Sequence, residues 1–296
     1  ILSQRFGAGD GEGMRKVYAM STLLSVTISI FLSIVFSFLS KPMLRMVNTP
    51  QNILDMAEEY IVIIYVFLIF QVLYNLYAGV LRSLGDSKSP LIFMIISAVT
   101  NIILDVVAIA VFHMGVGGAA LATVISQGLS AILSFIYIKK KFTILKPSKE
   151  EMKYDKSLSK VLLRVGLPGA FQYSITAISC ILVQASLNNF GSDSVAAYSV
   201  ANKIENMVTQ FYPALGIGIS TFAGQNLGAG ELERVRKGFR VSVYMNIAYS
   251  ILAFFICQLF ASPMTKLFVD SSTSSPLVIE ESILYVTTMC IFFIPL

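Results

Sequence analysis

The chain has 296 residues, of which 55% are hydrophobic and 13% are charged, and its mean hydropathy is +0.74. Soluble domains contain roughly 25% charged residues, so this composition excludes an ordinary soluble protein and favours one embedded in a lipid bilayer. The net charge of +5 reflects how basic residues are distributed across the membrane, as described below, and calls for no nucleic-acid partner.

Long apolar runs follow one another along the whole chain. About 20 apolar residues are needed to cross roughly 30 Å of hydrocarbon. The runs are too long and too uniform for membrane strands, so each predicts a helix and the fold class is an all-α polytopic membrane protein. The seven predicted helices cover residues 17–40, 57–82, 90–113, 117–140, 159–188, 194–224 and 239–262, and an eighth begins near Ile279.

One segment occurs twice. Gln4-Arg-Phe-Gly-Ala-Gly9 precedes the first helix, and Gln225-Asn-Leu-Gly-Ala-Gly230 precedes the seventh. The same offset joins Pro42-Met43 to Pro263-Met264, so two copies of one unit lie in tandem. Because the repeat unit holds six helices, an even number, both copies run in the same direction. We therefore predict two six-helix bundles related by a parallel pseudo-twofold axis, with a cleft between them.

The repeat also predicts the domain boundaries. Residues 1–140 form the amino-terminal lobe, 141–158 a linker, and 159–296 the carboxyl-terminal lobe. The second copy has two helices before its repeated segment, so we expect two more before Gln4. The eighth helix should likewise continue past Leu296. The expectation is a twelve-helix protein, of which about eight helices are present and two are missing at each end.

The basic residues predict an orientation. Most of the 22 lysines and arginines lie on alternate connections, and residues 139–160 carry the densest group. By the positive-inside rule these connections are cytoplasmic, which predicts a multi-pass protein of the plasma (inner) membrane with the 139–160 loop inside.

Asp105 is a carboxylate inside a predicted span, where a charge costs about 2.5 kcal/mol or more. Ser97 and Asn101 precede it at spacings of four residues, which predicts one polar stripe on the third helix. A carboxylate at this depth can bind a proton, a sodium ion or a cationic substrate. A structural role, hydrogen-bonding a neighbouring helix, stays open.

The sixth predicted helix carries a second polar stripe, Asn202, Glu205 and Asn206. Lys203 points away from Asn202 by about 100° and is either a structural ion-pair partner or a switch. Pro213 predicts a bend in this helix, with helix packing as the alternative.

Two further interpretations come from local patterns. Gly115, Gly117 and Gly118 are assigned to the tight turn between the third and fourth helices. The sequence contains no Walker, GxSxG or HExxH motif, so we predict no enzymatic activity and no cofactor beyond a coupling ion.

Several segments resemble the multidrug and toxic compound extrusion (MATE) transporters. They are the two Gln-x-x-Gly-Ala-Gly copies, the stretch from Leu81 to Pro90, Gly166-Leu-Pro168, and Ala196-Ala197-Tyr198. The resemblance implies twelve helices in two lobes that exchange sodium ions or protons for organic cations and other amphiphiles.

The resemblance also implies site residues. An Asn and an Asp four apart on one helix match Asn101 and Asp105, and their companions match Asn75 and Thr123. These four residues form the implied ion-coupling site, with sodium as the candidate metal. Some family members carry acidic residues where this chain has glutamines. The implied substrate-cleft residues are Glu205, Asn202, Asn206, Gln172, Gln184 and Lys203.

The function implied is a secondary active antiporter that exports cationic or amphiphilic drugs in exchange for sodium ions or protons, working as a monomer in the bilayer. Two alternatives stay open. A lipid-linked oligosaccharide flippase would share the helices but needs several basic residues in its cleft. A non-transporting membrane subunit would not explain the six-helix repeat.

Overall fold

The computed structural model describes residues 1–47, 49–187, 190–269 and 275–293, and within these ranges the chain is helical without a strand. The predicted all-α fold is confirmed. The helices are α1 (Leu2–Gly7), α2 (Gly11–Met46), α3 (Gln51–Val66), α4 (Leu68–Ser83), α5 (Lys88–Val106), α6 (Gly115–Lys141), α7 (Lys156–Leu187), α8 (Ser192–Thr209), α9 (Phe211–Gly228), α10 (Leu232–Lys266) and α11 (Pro276–Met289). A π-helical turn, Val107–Val111, continues α5, and a 3₁₀ turn, Cys290–Phe293, continues α11.

Six helices within the described residues are long and apolar enough to cross a bilayer: α2, α5 with its π turn, α6, α7, α10, and α11 with its 3₁₀ turn. The pair α3 and α4 forms a further candidate span, bent by 48°. The bend lies at Phe67, where the backbone leaves helical geometry (φ −104°, ψ 17°). The protein is therefore a multi-pass membrane protein, as the apolar runs predicted.

The helix predicted over 194–224 is present but is interrupted once. This run consists of α8 and α9 with Gln210 between them, and neither meets the length and hydropathy needed for a span by itself. The cause is Pro213, which has no N–H to donate to the carbonyl of Thr209 four residues earlier. The interruption is limited to Gln210, whose backbone keeps right-handed helical geometry (φ −60°, ψ −19°). The Tyr249 hydroxyl donates to the nearby Val208 carbonyl at 2.6 Å and so stabilises the broken turn.

The chain folds as two compact units, Ile1–Leu163 with Gly228–Gly230, and Arg164–Leu227 with Glu231–Leu296. The predicted lobe boundaries and the pseudo-twofold axis stay predictions.

In the first unit α6 is the central helix and packs against α3, α4 and α5. Its buried side chains are almost all small, so the backbones of neighbouring helices can approach closely. Because no hydrophobic effect drives helices together in lipid, this close packing is what stabilises their association. The buried residues of α6 are Gly117, Gly118, Ala120, Ala122, Val124, Ser126, Gly128, Ser130, Ala131, Ser134 and Ile138.

The assignment of three glycines to one turn is correct only for Gly115, which has φ +58° and follows His113 at φ +52°. Gly117 and Gly118 lie inside α6 and are buried. Gly117 faces the Glu59 carboxylate of α3, which is the end of a flexible side chain and can shift away from an added Cβ.

In the second unit α11 packs against α8 and α10. Ser250 on α10 donates its hydroxyl to the carbonyl of Phe293, in the 3₁₀ turn after α11, at 2.9 Å. The same hydroxyl contacts the hydroxyl of Tyr212 on α9 at 3.0 Å. By contrast, residues 170–183 of α7 are exposed throughout.

Candidate functional site

A cavity of about 290 Å³ lies between α4, α5 and α6. It contains three of the four predicted ion-coupling residues, one on each helix. Carbon atoms make up most of its wall, and polar side chains from all three helices are set into it. The lining residues are Gln71, Tyr74, Asn75, Met94, Ser97, Ala98, Asn101, Thr123, Ser126 and Gln127.

Hydrogen bonds hold this cavity in shape. Ser97 donates to the Ser126 carbonyl at 2.8 Å and so ties α5 to α6. The Asn101 amide lies 3.5 Å from the Thr123 hydroxyl, which itself donates to the Ala119 carbonyl at 3.0 Å. The Asn75 amide donates to the Gln71 carbonyl at 2.9 Å. These amide nitrogens face protein acceptors, which leaves the amide and hydroxyl oxygens to accept a cation.

Asp105 lies one turn beyond Asn101 on α5 and is outside the wall of this cavity. Its Oδ1 atom is inaccessible to solvent and has no hydrogen-bond partner among the described residues. Buried polar atoms are normally paired, and a lone carboxylate oxygen is a strong acceptor for a proton or a cation. The π-helical turn begins two residues later, a local irregularity that often accompanies functional sites.

The second predicted set is divided between two helices. On α8, Glu205 is half-buried and accepts a hydrogen bond from the Tyr285 hydroxyl at 3.3 Å. The Asn206 amide donates to the Asn202 carbonyl at 2.8 Å. Tyr198 packs edge-on against Tyr285, with ring centroids 5.5 Å apart, so the aromatic residue that contacts this carboxylate is itself held by a second ring.

The remaining predicted cleft residues are elsewhere. Lys203 is exposed, and among the described residues its ammonium faces the Phe268 ring, 6.0 Å from the centroid, rather than a carboxylate. Gln172 and Gln184 lie on α7, where Gln172 is exposed and Gln184 is half-buried. No contact within the described residues brings either of them to Glu205.

The structure adds a polar cluster that the sequence did not single out by residue. Asp86 accepts hydrogen bonds from the Ser89 backbone at 3.0 Å, from the Tyr137 hydroxyl at 2.9 Å and from Lys141 at 3.1 Å. Burial alone raises the pKa of the Asp86 carboxyl, but these donors outweigh it and hold the pKa at about 2. The signal was present in the stretch from Leu81 to Pro90, which was noted only as a family resemblance.

The chemistry of the first cavity suits a hard cation. No group of three His, Cys, Asp or Glu side chains that could hold a metal occurs within the described ranges. Neutral amide and hydroxyl oxygens, with one carboxylate nearby, are oxygen ligands of the kind that hard cations prefer.

The fold is that of a polytopic membrane protein, with a cavity lined by polar side chains inside its first unit. The family model described as MatE matches residues 1–107 and 168–296, and the chain therefore belongs to the MatE family. The resemblance seen in the sequence motifs is confirmed.

Individual relatives agree with this assignment. The chain is 30% identical to the probable multidrug resistance protein YoeA of Bacillus subtilis (strain 168), over 97% of this chain and 63% of that protein. It is 24% identical to a protein named FAD transporter from Shewanella oneidensis, over all of this chain and 65% of that protein.

Among solved structures, an outward-facing multidrug resistance MATE family transporter of the MOP superfamily superposes with a TM-score of 0.88. The identity is 22%, and the match covers 99% of this chain and 65% of that one. This likeness supports the fold. The chain spans less than two thirds of the length of these relatives.

Proposed function

We propose that the protein is a secondary active antiporter that exports cationic or amphiphilic compounds in exchange for sodium ions or protons by alternating access. The proposal combines membership of the MatE family with the polar cavity between α4, α5 and α6. The probable multidrug resistance protein of Bacillus subtilis supports a drug-like substrate class.

One observation carries the coupling role: the Oδ1 of Asp105, one turn from the cavity, is inaccessible to solvent and has no hydrogen-bond partner in the described part of the chain. An unpaired carboxylate oxygen at membrane depth is costly unless it binds something during the working cycle. Asn101, Asn75 and Thr123 supply neutral oxygens from three helices, so an ion at this point would bias their packing. A coupling ion can drive transport only by binding the two access states with different affinity.

Substrate recognition is assigned to Glu205, with Tyr285 bound to it and Tyr198 packed on Tyr285. An anionic group bordered by aromatic rings attracts organic cations through charge and through the ring faces. Asn202 and Asn206 lie on the same helix face and supply hydrogen-bonding groups. Gln172, Gln184 and Lys203 stay candidate cleft residues on the family resemblance alone, because none of them contacts Glu205 within the described residues.

A flippase for an anionic cargo such as a lipid-linked oligosaccharide would need several basic side chains at membrane depth. Lys203 is a single such residue, and it lies over the Phe268 ring. The Shewanella relative is named a FAD transporter, so an anionic cargo is nevertheless worth including in the assay. A non-transporting subunit is not favoured by membership of a transporter family.

We further propose that the protein acts as a monomer in the plasma membrane with residues 139–160 in the cytoplasm. The density of lysines in this segment supports the orientation. A single cysteine introduced at Lys149 should react with an impermeant reagent in inverted vesicles and stay unlabelled in intact cells. Labelling in intact cells would reverse the orientation.

The deciding experiment is efflux from vesicles containing the intact protein. Sodium and proton gradients are imposed separately, and release of an organic cation, a neutral amphiphile and FAD is followed in each. We expect cation release that depends on one of the two gradients. Release that is independent of both gradients, or release of FAD alone, would contradict the proposal.

A further inference from the structure

The two copies of the repeated segment have the same local structure. The first copy is the end of α1 with its turn into α2, and the second is the end of α9 with its turn into α10. Each turn contains a glycine in the left-handed region, Gly9 at φ +66° and Gly230 at φ +79°. This conformation commonly ends a helix and favours glycine over other residues. The repeat in the sequence is therefore also a repeat in the structure at this point.

The two turns contact each other. Residues Gly228–Gly230 pack with the first unit, although the preceding residues of α9 belong to the second. A Cβ added at Gly228 would overlap the Gln4 carbonyl oxygen and lie 3.0 Å from the Ala8 backbone nitrogen. Both are backbone atoms, which cannot move aside as the end of a flexible side chain can. A glycine is therefore required for the end of α9 to approach α1 this closely.

The contact is close but shallow. Gln4 and Ala8 are exposed, and Gly228 is half-buried. The Ala8 N–H donates to the Gln4 carbonyl at 3.0 Å inside the first turn, and the Glu231 N–H donates to the Asn226 carbonyl at 2.8 Å inside the second. Separation of the turns would break neither of these bonds, and it would expose little apolar surface because glycine has no side chain. The contact is thus suited to opening and closing.

Both turns belong to connections that are predicted to be cytoplasmic. Arg5 and Arg15 flank the first turn, and Arg234 and Arg236 follow the second. The copies of a parallel repeat meet around their common axis, which also passes through the cleft between them. On the predicted axis, a contact between equivalent turns would close this cleft at its cytoplasmic end.

We propose that this contact is the cytoplasmic gate of the transport cycle, closed with Gly228 against Gln4 and open when the two turns separate. The inference rests on the proposed function, because alternating access requires the two ends of the cleft to open in turn. The alternative is a fixed structural contact. The two differ in one respect, since a gate opens in every cycle and a fixed contact never does.

The first experiment locks the contact in the intact protein. Ala8→Cys and Leu227→Cys place one thiol on each exposed side of the contact, in a background without other cysteines. A short, reducible bis-maleimide joins them. Efflux is measured in the same vesicles before cross-linking, after it, and after reduction of the linker. The matched control joins Lys41→Cys to Asp55→Cys, which replace an ion pair of 3.3 Å between α2 and α3.

We expect the cross-link between positions 8 and 227 to slow efflux at least about tenfold, and reduction of the linker to restore it. The cross-link between positions 41 and 55 should leave efflux within about twofold, because α2 and α3 already pack together within the first unit.

The second experiment weakens the contact. Gly228→Ala adds a methyl group that overlaps the backbone of α1, whereas Gly218→Ala adds one on the same helix where no atom lies within 4 Å. Asn226→Cys is the reporter, because Asn226 is buried one turn position from the contact. Its reaction with an impermeant maleimide is timed in inverted vesicles. Cys257, 1% exposed in the core of the second unit, is retained to report unfolding.

We expect Gly228→Ala to speed labelling at position 226 about tenfold and to leave Cys257 unlabelled, since the overlap favours the separated turns. Gly218→Ala should leave both rates unchanged.

Three results would overturn the gate. One is undiminished efflux by protein that is fully cross-linked between positions 8 and 227, which would leave the antiporter proposal intact. The second is equal loss of efflux with both cross-links, and the third is equal labelling at position 226 in both alanine variants. Absence of efflux before any cross-linking would instead refute the antiporter proposal, and the labelling comparison would then decide by itself whether the contact opens.

Discussion

The Nε of Arg15, near the start of α2, donates to both carboxylate oxygens of Glu151, at 2.8 and 3.0 Å, although 136 residues separate the two along the chain. Glu151 is 10% exposed and also accepts from the Ser148 backbone at 2.7 Å. Nearby Leu145 is buried in the same core as Met14 and Val17. The segment predicted to be a linker is therefore docked on the first unit.

This docking predicts an effect of Glu151→Gln. Loss of the charge leaves Arg15 without its carboxylate, which should destabilise the first unit and free residues 146–155. We expect faster protease cleavage in this segment and a lower melting temperature. The neighbouring exposed residue supplies the control, because Glu150→Gln removes the same charge without touching Arg15. Equal cleavage of both variants would show that the ion pair does not hold the segment.

Asp86 predicts a pH dependence of stability. Its folded-state pKa of about 2 lies below the ordinary value of 3.8, because hydrogen bonds from Ser89, Tyr137 and Lys141 outweigh burial. The contribution is therefore complete above about pH 4 and is lost as the pH falls toward 2. At neutral pH it is about 2 kcal/mol.

Asp86→Asn should lower the melting temperature at pH 7, and its difference from the unmodified protein should shrink between pH 4 and pH 2. Asp55→Asn is the control, since Asp55 is an 89% exposed carboxylate near Lys41. A difference that stays constant down to pH 2 would argue against the charged network.

Gly128 predicts a steric effect within the first unit. A Cβ there would lie 3.3 Å from the Phe70 ring on α4, whereas a Cβ at Gly79 would have no atom within 4 Å. Gly128→Leu should force α4 and α6 apart and destabilise the protein by about 1–3 kcal/mol. The same substitution at Gly79 should be neutral or stabilising by up to about 1 kcal/mol through helix propensity. Thermal melting of the two variants compares them directly, and equal loss at both positions would contradict close α4–α6 packing.

Much of the fold could be predicted because a bilayer imposes a length on every span, and the apolar runs have that length. Within the run over 194–224, hydropathy did not show where the helix is interrupted, because it is averaged over many residues, whereas one missing N–H at Pro213 acts locally. The assignment of the α6 glycines to one turn was only partly correct for a related reason. A glycine has the same appearance in sequence whether it makes a turn, as Gly115 does, or lies against a ring of a neighbouring helix, as Gly128 does.

The site was predictable in part for a geometric reason. A spacing of four residues rotates around a helix by about 40° at each step, so Asp105 lies roughly 80° from Ser97. This rotation explains why Ser97 and Asn101 line the cavity while Asp105 lies outside its wall. Contacts such as that between Arg15 and Glu151 follow no helical period. Their long separation in the chain gives no signal in a single sequence.

Asp105→Asn tests the coupling mechanism. The substitution preserves shape but removes the charge of the carboxylate whose Oδ1 has no hydrogen-bond partner among the described residues. A neutral amide cannot take up a proton and binds a cation much less strongly, so gradient-driven efflux should be abolished. Membrane insertion and melting temperature should not fall, because no described partner is lost. The comparison variant is Glu205→Gln, for which we expect weaker recognition of organic cations with ion coupling retained. Efflux rates are measured in the same vesicles under each gradient, with the amount of inserted protein as the reference. Full-rate, ion-coupled efflux by Asp105→Asn would remove Asp105 from the mechanism and transfer the coupling role to Glu205.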